Sequence, residues 1–408
     1  MASDDSIGII ELGNLSIRCI IFRIKSDNIS EILSSSINPS EGIHNGVITN
    51  IKKAATSIRT CISLAEKEAE VTLKKINVIL EQPEFLCTVF SKHRKINGSK
   101  IQKDDIDFLI TESKKQVLLN DNKQSIIHIF NHNYIVDGKA FIEEPIDVYA
   151  DHLSHEMTFV TMPKNNIKNI NQVLFECDIE VERFISGIFT LGISLLSSNE
   201  LKIGSLLIDV GFEKTSAGFF KNLALIHSFS VPIGINHLIK DISKVCSLSY
   251  EESKAIIEKI DLSFNVNQEL FDEKDNLKNF YFTNTVFRKI SKSLIFNVVK
   301  ARLDEIFEIT KKQAISNGFN INFDKNIFIT GGGSNLCNLE IYCSNFFDKE
   351  VKNLVENKKI KDEYISKNGF AACLGALELI KNGWETEAIP KLINKQSKKI
   401  SLLSKIFG

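Results

Sequence analysis

The chain has 408 residues, 43% of them hydrophobic, enough for a sizeable core and, at ~100–200 residues each, for about two to four domains or subdomains. Its 50 Lys and Arg against 51 Asp and Glu leave a net charge of −1, which excludes a globally basic nucleic-acid binder; no nucleic-acid partner is expected. The eight cysteines are scattered without a C-x-x-C pair, as expected of a reduced, cytoplasmic compartment.

Residues 1–6 carry acid and the apolar run after them is broken by Glu11, so no signal peptide is expected. No stretch reaches the ~18 apolar residues of a spanning helix. The segment Ile7-Gly-Ile-Ile-Glu-Leu-Gly-Asn-Leu-Ser-Ile-Arg-Cys-Ile-Ile-Phe22 predicts a strand, a tight turn at Gly13-Asn14 and a second strand. Gly46-Val-Ile-Thr-Asn-Ile-Lys-Lys-Ala leads into a helix that ends near Ala69. The pairs His128/His132 and His152/His155 have a spacing that suits a metal, but no third ligand is near, and they read better as polar loop or strand residues.

Residues 205–220, Ser-Leu-Leu-Ile-Asp-Val-Gly-Phe-Glu-Lys-Thr-Ser-Ala-Gly-Phe-Phe, repeat the plan of the first hairpin. Glu11 and Asp209 each stand two residues before a glycine, about half the chain apart, which points to internal duplication. An acid at the end of a buried strand is costly unless it faces a wet cleft or a cation. A following glycine lets backbone N–H groups turn toward an anion. Two such hairpins face to face would clamp a nucleotide tail, with Mg²⁺ held through water by Glu11 and Asp209; two unrelated hairpins with glycine turns are the alternative. Further on, Asn326-Ile-Phe-Ile-Thr-Gly-Gly-Gly-Ser-Asn-Leu reads as a strand, then three glycines, then the start of a helix. With only 20 glycines in the chain the cluster is informative: bare backbone lets a flat ring approach, and a helix start favours anions.

After Trp384 the composition shifts. Glu385 and Glu387 are the last acids, and Lys391, Lys395, Lys398, Lys399 and Lys405 follow. At ~100° per residue, Leu392, Ile393, Ile400, Leu403, Ile406 and Phe407 share one helix face, while Lys391, Lys398 and Lys405 lie opposite. This is the pattern of an interfacial amphipathic helix; a helix packed on the body or a disordered basic tail is the alternative.

The order of the Gly13 hairpin, the Asp209/Gly211 hairpin, Val231-Pro-Ile-Gly234 and strand-Gly331-Gly-Gly333 resembles the actin-like ATPase superfamily, and within it the FtsA family of bacterial cell-division proteins. The 46–54 stretch, Asp104-Asp-Ile-Asp-Phe-Leu-Ile, Tyr134-Ile-Val-Asp-Gly-Lys-Ala-Phe-Ile-Glu-Glu-Pro-Ile and Ala301-Arg-Leu-Asp-Glu-Ile-Phe add to it, so that the resemblance runs from about residue 7 to 380 and resumes at the tail. It implies an α/β, actin-like (ribonuclease H-like) duplicated fold with two lobes. Residues 1–84 and 166–200 would form the first lobe and 85–165 an inserted FtsA-type subdomain. Residues 201–384 would form the second lobe, with a helical subdomain at 235–310, and 385–408 a linker and amphipathic membrane-targeting tail. The implied ligands are ATP and Mg²⁺, at Glu11, Gly13, Asn14, Ser16, Asp209, Gly211, Lys214, Thr215, Gly234, Gly331, Gly332 and Gly333. Arg302 and Glu305 would receive the FtsZ C-terminal peptide. Leu392, Ile393, Lys398, Ile400, Leu403, Lys405, Ile406 and Phe407 would bind anionic inner-membrane lipids. Self-association into a filament, later division proteins bound through 85–165, and a peripheral place on the cytoplasmic side of the inner membrane at the division site complete the expectation.

The nucleotide site departs from the family pattern. Leu15 brings neither hydroxyl nor charge. Two glycines of the second hairpin are replaced by Phe212, whose bulk restricts backbone approach, and Glu213, whose charge opposes phosphate; Lys214 offers compensation. Lys254 and Ile257 stand where the family carries Glu-x-x-Lys. ATP binding therefore stays open, hydrolysis is expected to be weak or absent, and no catalytic residue stands out. The alternatives are a pilus-assembly relative of FtsA and a kinase of the same superfamily; the eroded hairpin and the basic tail speak against the kinase, and the tail against the pilus protein.

Overall fold

A computed structural model describes residues 6–25, 28–263, 269–317, 326–354 and 369–388. The amphipathic tail expected at 391–407 lies outside the described residues.

Apolar runs broken by glycine and polar turns produce two five-stranded sheets with one plan. The first has the order β3-β2-β1-β6-β11, from β1 (Ser6–Leu12), β2 (Ser16–Ile24), β3 (Ser30–Pro39), β6 (Lys75–Leu80) and β11 (Glu180–Ser186). The second has the order β14-β13-β12-β15-β16, from β12 (Ser205–Val210), β13 (Thr215–Lys221), β14 (Ala224–Val231), β15 (Asn326–Thr330) and β16 (Val351–Asn353). In each, a hairpin and a third antiparallel strand form one half, and two parallel strands continue from the hairpin's first strand. The duplication expected from Glu11 and Asp209 is thus a duplication of sheet topology. Strands β1 and β12 read almost continuously apolar because both of their faces are covered.

Helix α1 (Ile51–Ala69) covers the first sheet with a stripe at helical spacing that includes Ala54, Ile58, Cys61, Ile62 and Ala65. Asn50 caps it by accepting from the Lys53 N–H at 3.0 Å. Helices α3 (Lys164–Phe175), α4 (Gly187–Leu195) and α5 (Ser198–Ile203) lead into the second sheet. Its own helices are α6 (Ile235–Cys246), α7 (Tyr250–Lys259), α8 (Lys292–Ser316) and α9 (Leu339–Phe347). One apolar core runs from Ile9, Ile20 and Ile58 through Phe189 to Phe220, Leu225 and Phe328, so it joins both sheets; a second lies under α6 to α9.

Between β6 and α3 a third sheet is inserted, with order β7-β10-β8-β9, from β7 (Leu86–Lys100), β8 (Gln124–Val136), β9 (Lys139–Phe141) and β10 (Tyr149–Pro163), covered by α2 (Lys103–Asn120). A small ribbon, β4 (Ile43–His44) with β5 (Val47–Ile48), precedes α1. The inserted sheet rests on the second lobe: the Thr158 hydroxyl donates to the Ile226 carbonyl on β14 at 2.9 Å. No described helix is long and apolar enough to cross a membrane.

Candidate functional site

The two hairpins bring matching residues to matching points. Glu11 pairs with Arg18 on β2 and lies beside Ile79 on β6. Asp209 pairs with Ser216 on β13 and lies beside Thr330 on β15. Each sheet therefore delivers an acid at the carboxyl end of its central strand, where open α/β sheets place their ligands.

Two further charged groups and a third acid join them. Arg18 Nη1 lies 3.6 Å from Glu11 Oε2. Lys214, in the β12–β13 turn, donates from Nζ to the carbonyl of Glu81, the residue after β6. Glu81 is buried, and its Oε2 accepts from the Ser186 hydroxyl at 2.9 Å and the Ile188 N–H at 3.0 Å, where α4 begins. Burial pushes the Asp209 carboxyl up to about 6; Lys214 and Arg18 oppose the rise, while Glu11 and Glu81 add to it. Burial also raises Glu81 and lowers Lys214, each against the attraction of the other.

The first backbone donors of α6 are already used by the turn of the second hairpin. Ile235 and Asn236 open α6, and their N–H groups donate to the Gly211 and Phe212 carbonyls at 3.1 and 2.8 Å. A Cβ on Gly234 would lie 2.5 Å from the Gly211 carbonyl oxygen, so helix start and turn meet backbone to backbone. The Glu213 carboxylate accepts from Asn236 Nδ2 at 2.5 Å, and Tyr250 in turn donates to Asn236 Oδ1 at 2.8 Å. Glu213 is thereby held by α6. Thr215 donates to the Ile233 carbonyl at 2.8 Å.

In the first hairpin, Asn14 Oδ1 accepts from the Gly46 N–H at 3.1 Å, which braces the β4–β5 ribbon, and Leu15 is exposed. Ser16 opens β2 just past Gly13. At the triple glycine, Gly331 has φ +90 and a Cβ there would strike the Asp209 carboxylate, so only glycine suits it. Gly332 faces open space, and Gly333 backs onto Val210 and Ile235. The helix expected directly at the glycines begins later: Gly332–Asn335 is a 3₁₀ turn, fixed by the Ser334 hydroxyl donating to the Gly331 carbonyl at 2.6 Å, and α9 starts at Leu339.

These residues fit a nucleotide unevenly. Gly332 leaves room for a ring, but Lys214 and the first N–H groups of α6 have internal partners where phosphates would need them. Among the described residues no three His, Cys, Asp or Glu side chains converge as a metal site. The histidine pairs lie on the neighbouring strands β8 and β10, where His128 and His155 are buried and His155 stacks on Tyr134 at 4.3 Å.

Elsewhere, Arg302 on α8 grips Asp241 of α6 with Nε to Oδ2 at 2.6 Å and Nη2 to Oδ1 at 3.1 Å, and reaches Glu305 Oε2 with Nη1 at 2.5 Å. The Asp241 bonds come first among the causes that raise its basicity. Lys254 pairs with Glu258 at 3.9 Å, and Ile257 is buried in the second core. The tail residues Leu392, Ile393, Lys398, Ile400, Leu403, Lys405, Ile406 and Phe407 lie outside the described residues.

Residues 86–161 match the model of the SHS2 domain inserted in FtsA. The cell division protein FtsA of Agrobacterium fabrum is 22% identical over 351 residues, which covers 82% of this chain and 77% of that protein. The cell division protein FtsA of Borreliella burgdorferi is 22% identical over 411 residues, 98% of this chain and 96% of that protein. The present chain is FtsA-like. Its body has the actin-like ATPase fold, and a solved PilM-PilN type IV pilus biogenesis complex superposes with a TM-score of 0.62 at 11% identity, covering 91% of this chain and 98% of that one.

In this FtsA-like chain two cleft residues escape a reading of the sequence. Arg18 lies two residues beyond Ser16 on the same strand face, a signal that alternation alone carries. Glu81 follows an ordinary apolar strand, and its role comes from the parallel pairing of β6 with β1.

Proposed function

We propose that the chain is a cell-division adaptor: copies line up on the cytoplasmic face of the inner membrane and tether the FtsZ ring through its C-terminal peptide. The observation that carries this reading is an FtsA-type inserted domain on a doubled actin-like body, in a chain similar to FtsA proteins along nearly its whole length. The inserted domain would take up later division proteins and take part in self-association. The tail would hold anionic lipids through its lysines and its apolar face. Each lysine near an anionic leaflet is worth about 1 kcal/mol, so one tail binds reversibly and an assembled row of tails binds firmly.

The cleft supports a secondary role for nucleotide. Its three carboxylates and two cations answer one another, and its turn is braced by α6, so ATP with Mg²⁺ binds weakly and turnover is weak or absent. For the peptide of FtsZ, the α8 face with Arg302 and Glu305 remains the proposed seat. Exposed Phe280, Val286 and Phe287 stand on the segment that leads into α8, with exposed Lys289 two residues further on, and suit a partner that is both acidic and apolar.

Vesicle sedimentation tests the reading. The full chain should pellet with vesicles containing anionic phospholipid, and a chain ending at Ala388 should stay in the supernatant. Equal sedimentation of both would overturn the membrane role of the tail. The pilus-assembly alternative shares the body fold, and the same experiment separates it, because that reading needs no lipid-binding tail.

A further inference from the structure

The segment after the helix Ala371–Asn382 does not simply leave the body. Trp384 Nε1 and the Thr386 hydroxyl both donate to the Leu223 carbonyl in the β13–β14 turn, at 2.5 and 2.9 Å. The chain then pairs with the inserted sheet as a short added strand. Glu387 stands antiparallel to Phe130 on β8, the Asn131 N–H donates to the Thr386 carbonyl at 2.7 Å, and the Ala388 N–H donates to the Ile129 carbonyl at 2.8 Å. Strand β9 covers β8 only at Tyr134–Val136, so this edge is open to the added strand.

A buried charge cluster fastens it. The Glu387 side chain is 2% exposed, and its Oε1 accepts from His128 Nδ1 at 2.5 Å and from Arg183 on β11. The Ser186 N–H donates to His128 Nε2 at 3.0 Å, which leaves the ring proton on Nδ1, pointed at Glu387. His128 stacks on Phe130, whose ring meets Phe189 edge-on, and Phe189 also meets Trp384. One side chain therefore ties three parts together: the inserted sheet, the first lobe and the root of the tail. A buried carboxylate stripped of either donor is expensive, so the cluster holds as a unit or releases as one.

We propose that residues 384–388 are a latch that couples the inserted domain to whatever the chain after Ala388 engages, so that loosening either side loosens the other. Glu387, His128 and Arg183 are its positioning residues. A partner that turns the inserted domain would then shift the root of the tail, and a load on the tail would be felt at β8. The coupling concerns the root alone and stands or falls separately from lipid binding.

Hydrogen exchange on the full chain tests it. In Glu387→Ala, exchange should rise about tenfold together in 384–388, 124–133 and 183–188, while Ser205–Val210 keeps its protection. Acting from the other side, His128→Gln should raise exchange in 384–388. If Glu387→Ala fails to fold, Arg183→Gln removes only one of the two donors and should shift the same peptides in the same direction by less. Release confined to 384–388 in Glu387→Ala or Arg183→Gln, with 124–133 at the wild-type rate, would overturn the latch. So would an unmoved 384–388 in folded His128→Gln.

Discussion

The inserted domain contains a histidine whose replacement should change the acid tolerance of the protein in a calculable way. His155 on β10 is 0% exposed, stacks on Tyr134, and has no hydrogen-bond partner for either ring nitrogen among the described residues. Burial drives its imidazole from 6.5 down to about 3, with His132 and Lys103 adding to the fall. The folded state therefore refuses a proton that the unfolded state accepts below pH 6.5. Stability from this site is flat above that value and falls as the pH drops toward 3. At pH 5, about 1.5 units below the unfolded value, the loss is about 2 kcal/mol; at pH 7.5 it is near zero.

His155→Leu, close to His in volume, should abolish that dependence. It gives up the stack on Tyr134, a term of about 0.5–1.5 kcal/mol, but this cost is the same at both pH values. The comparison is thus the difference of differences: urea unfolding of the native chain and the variant, each at pH 7.5 and pH 5.0, followed by a signal from the inserted domain. The variant should gain about 2 kcal/mol on the native chain between the two conditions. A gain below about 0.5 kcal/mol would show that His155 takes up its proton in the folded state, and the account of a dry, partnerless ring would be wrong.

Other sites give further tests. Glu252 is buried at the start of α7, and burial alone would raise its carboxyl, but donors from Asn284, Thr285 and Ser249 win and bring it down to about 2. Its contribution is present above the unfolded value of 4.5 and lost as the pH falls toward 2, so Glu252→Gln should cost about 3 kcal/mol at pH 7 in denaturant unfolding and much less near pH 3. Asp209 shows the opposite sign: its raised carboxyl favours the fold below about pH 4 and opposes it above about 6, so Asp209→Asn should raise the thermal midpoint at pH 7.5 and leave it unchanged at pH 3.5. Lys214→Met removes the cation that faces Glu81 and Asp209, and the variant should be less stable at pH 7.5 than at pH 5.5, read by unfolding at both. Arg302→Met leaves Asp241 without its bidentate partner; titration with an acidic, apolar peptide corresponding to the FtsZ C-terminus should then show at least a tenfold loss of affinity, and unchanged affinity would remove this face from the proposed function.

The parts of the fold that were legible in the sequence are local ones. A turn glycine after an apolar run, with an acid two residues earlier, specifies a hairpin wherever it stands, and Gly13 and Gly211 announce both lobes. Phe212 and Glu213, where the family resemblance leads one to expect glycine, could be seen in the sequence as bulk and charge placed in the turn. What holds that turn in place could not. That Asn236 holds Glu213, and that Lys214 turns to the Glu81 carbonyl, depends on α6 docking beneath the turn and on β6 pairing with β1. The same holds for Glu387. In the sequence it is one of the last acids before a basic tail; its partner His128 lies far back in the chain, and only the open edge of β8 brings them together.

Buried polar contacts of two kinds occur among the described residues, and the difference bears on how the molecule could move. Glu252 satisfies the start of α7 and donors at 284–285 within one subdomain, so its bonds persist through any rigid-body motion. Glu81 with Lys214 and Glu387 with His128 and Arg183 cross between subdomains instead. Such bonds are strong while the interface is dry and lose much of their strength once water enters, so a motion that wets either interface would break its cluster as a unit rather than by degrees. One of the two crossing clusters sits in the cleft and the other at the root of the tail. Both draw on the β11–α4 junction, through Ser186 on the side of Glu81 and through Arg183 and the Ser186 N–H on the side of His128. A rotation of the lobes that disturbs this junction would reach the tail root directly, without any message passing through the inserted domain's own core.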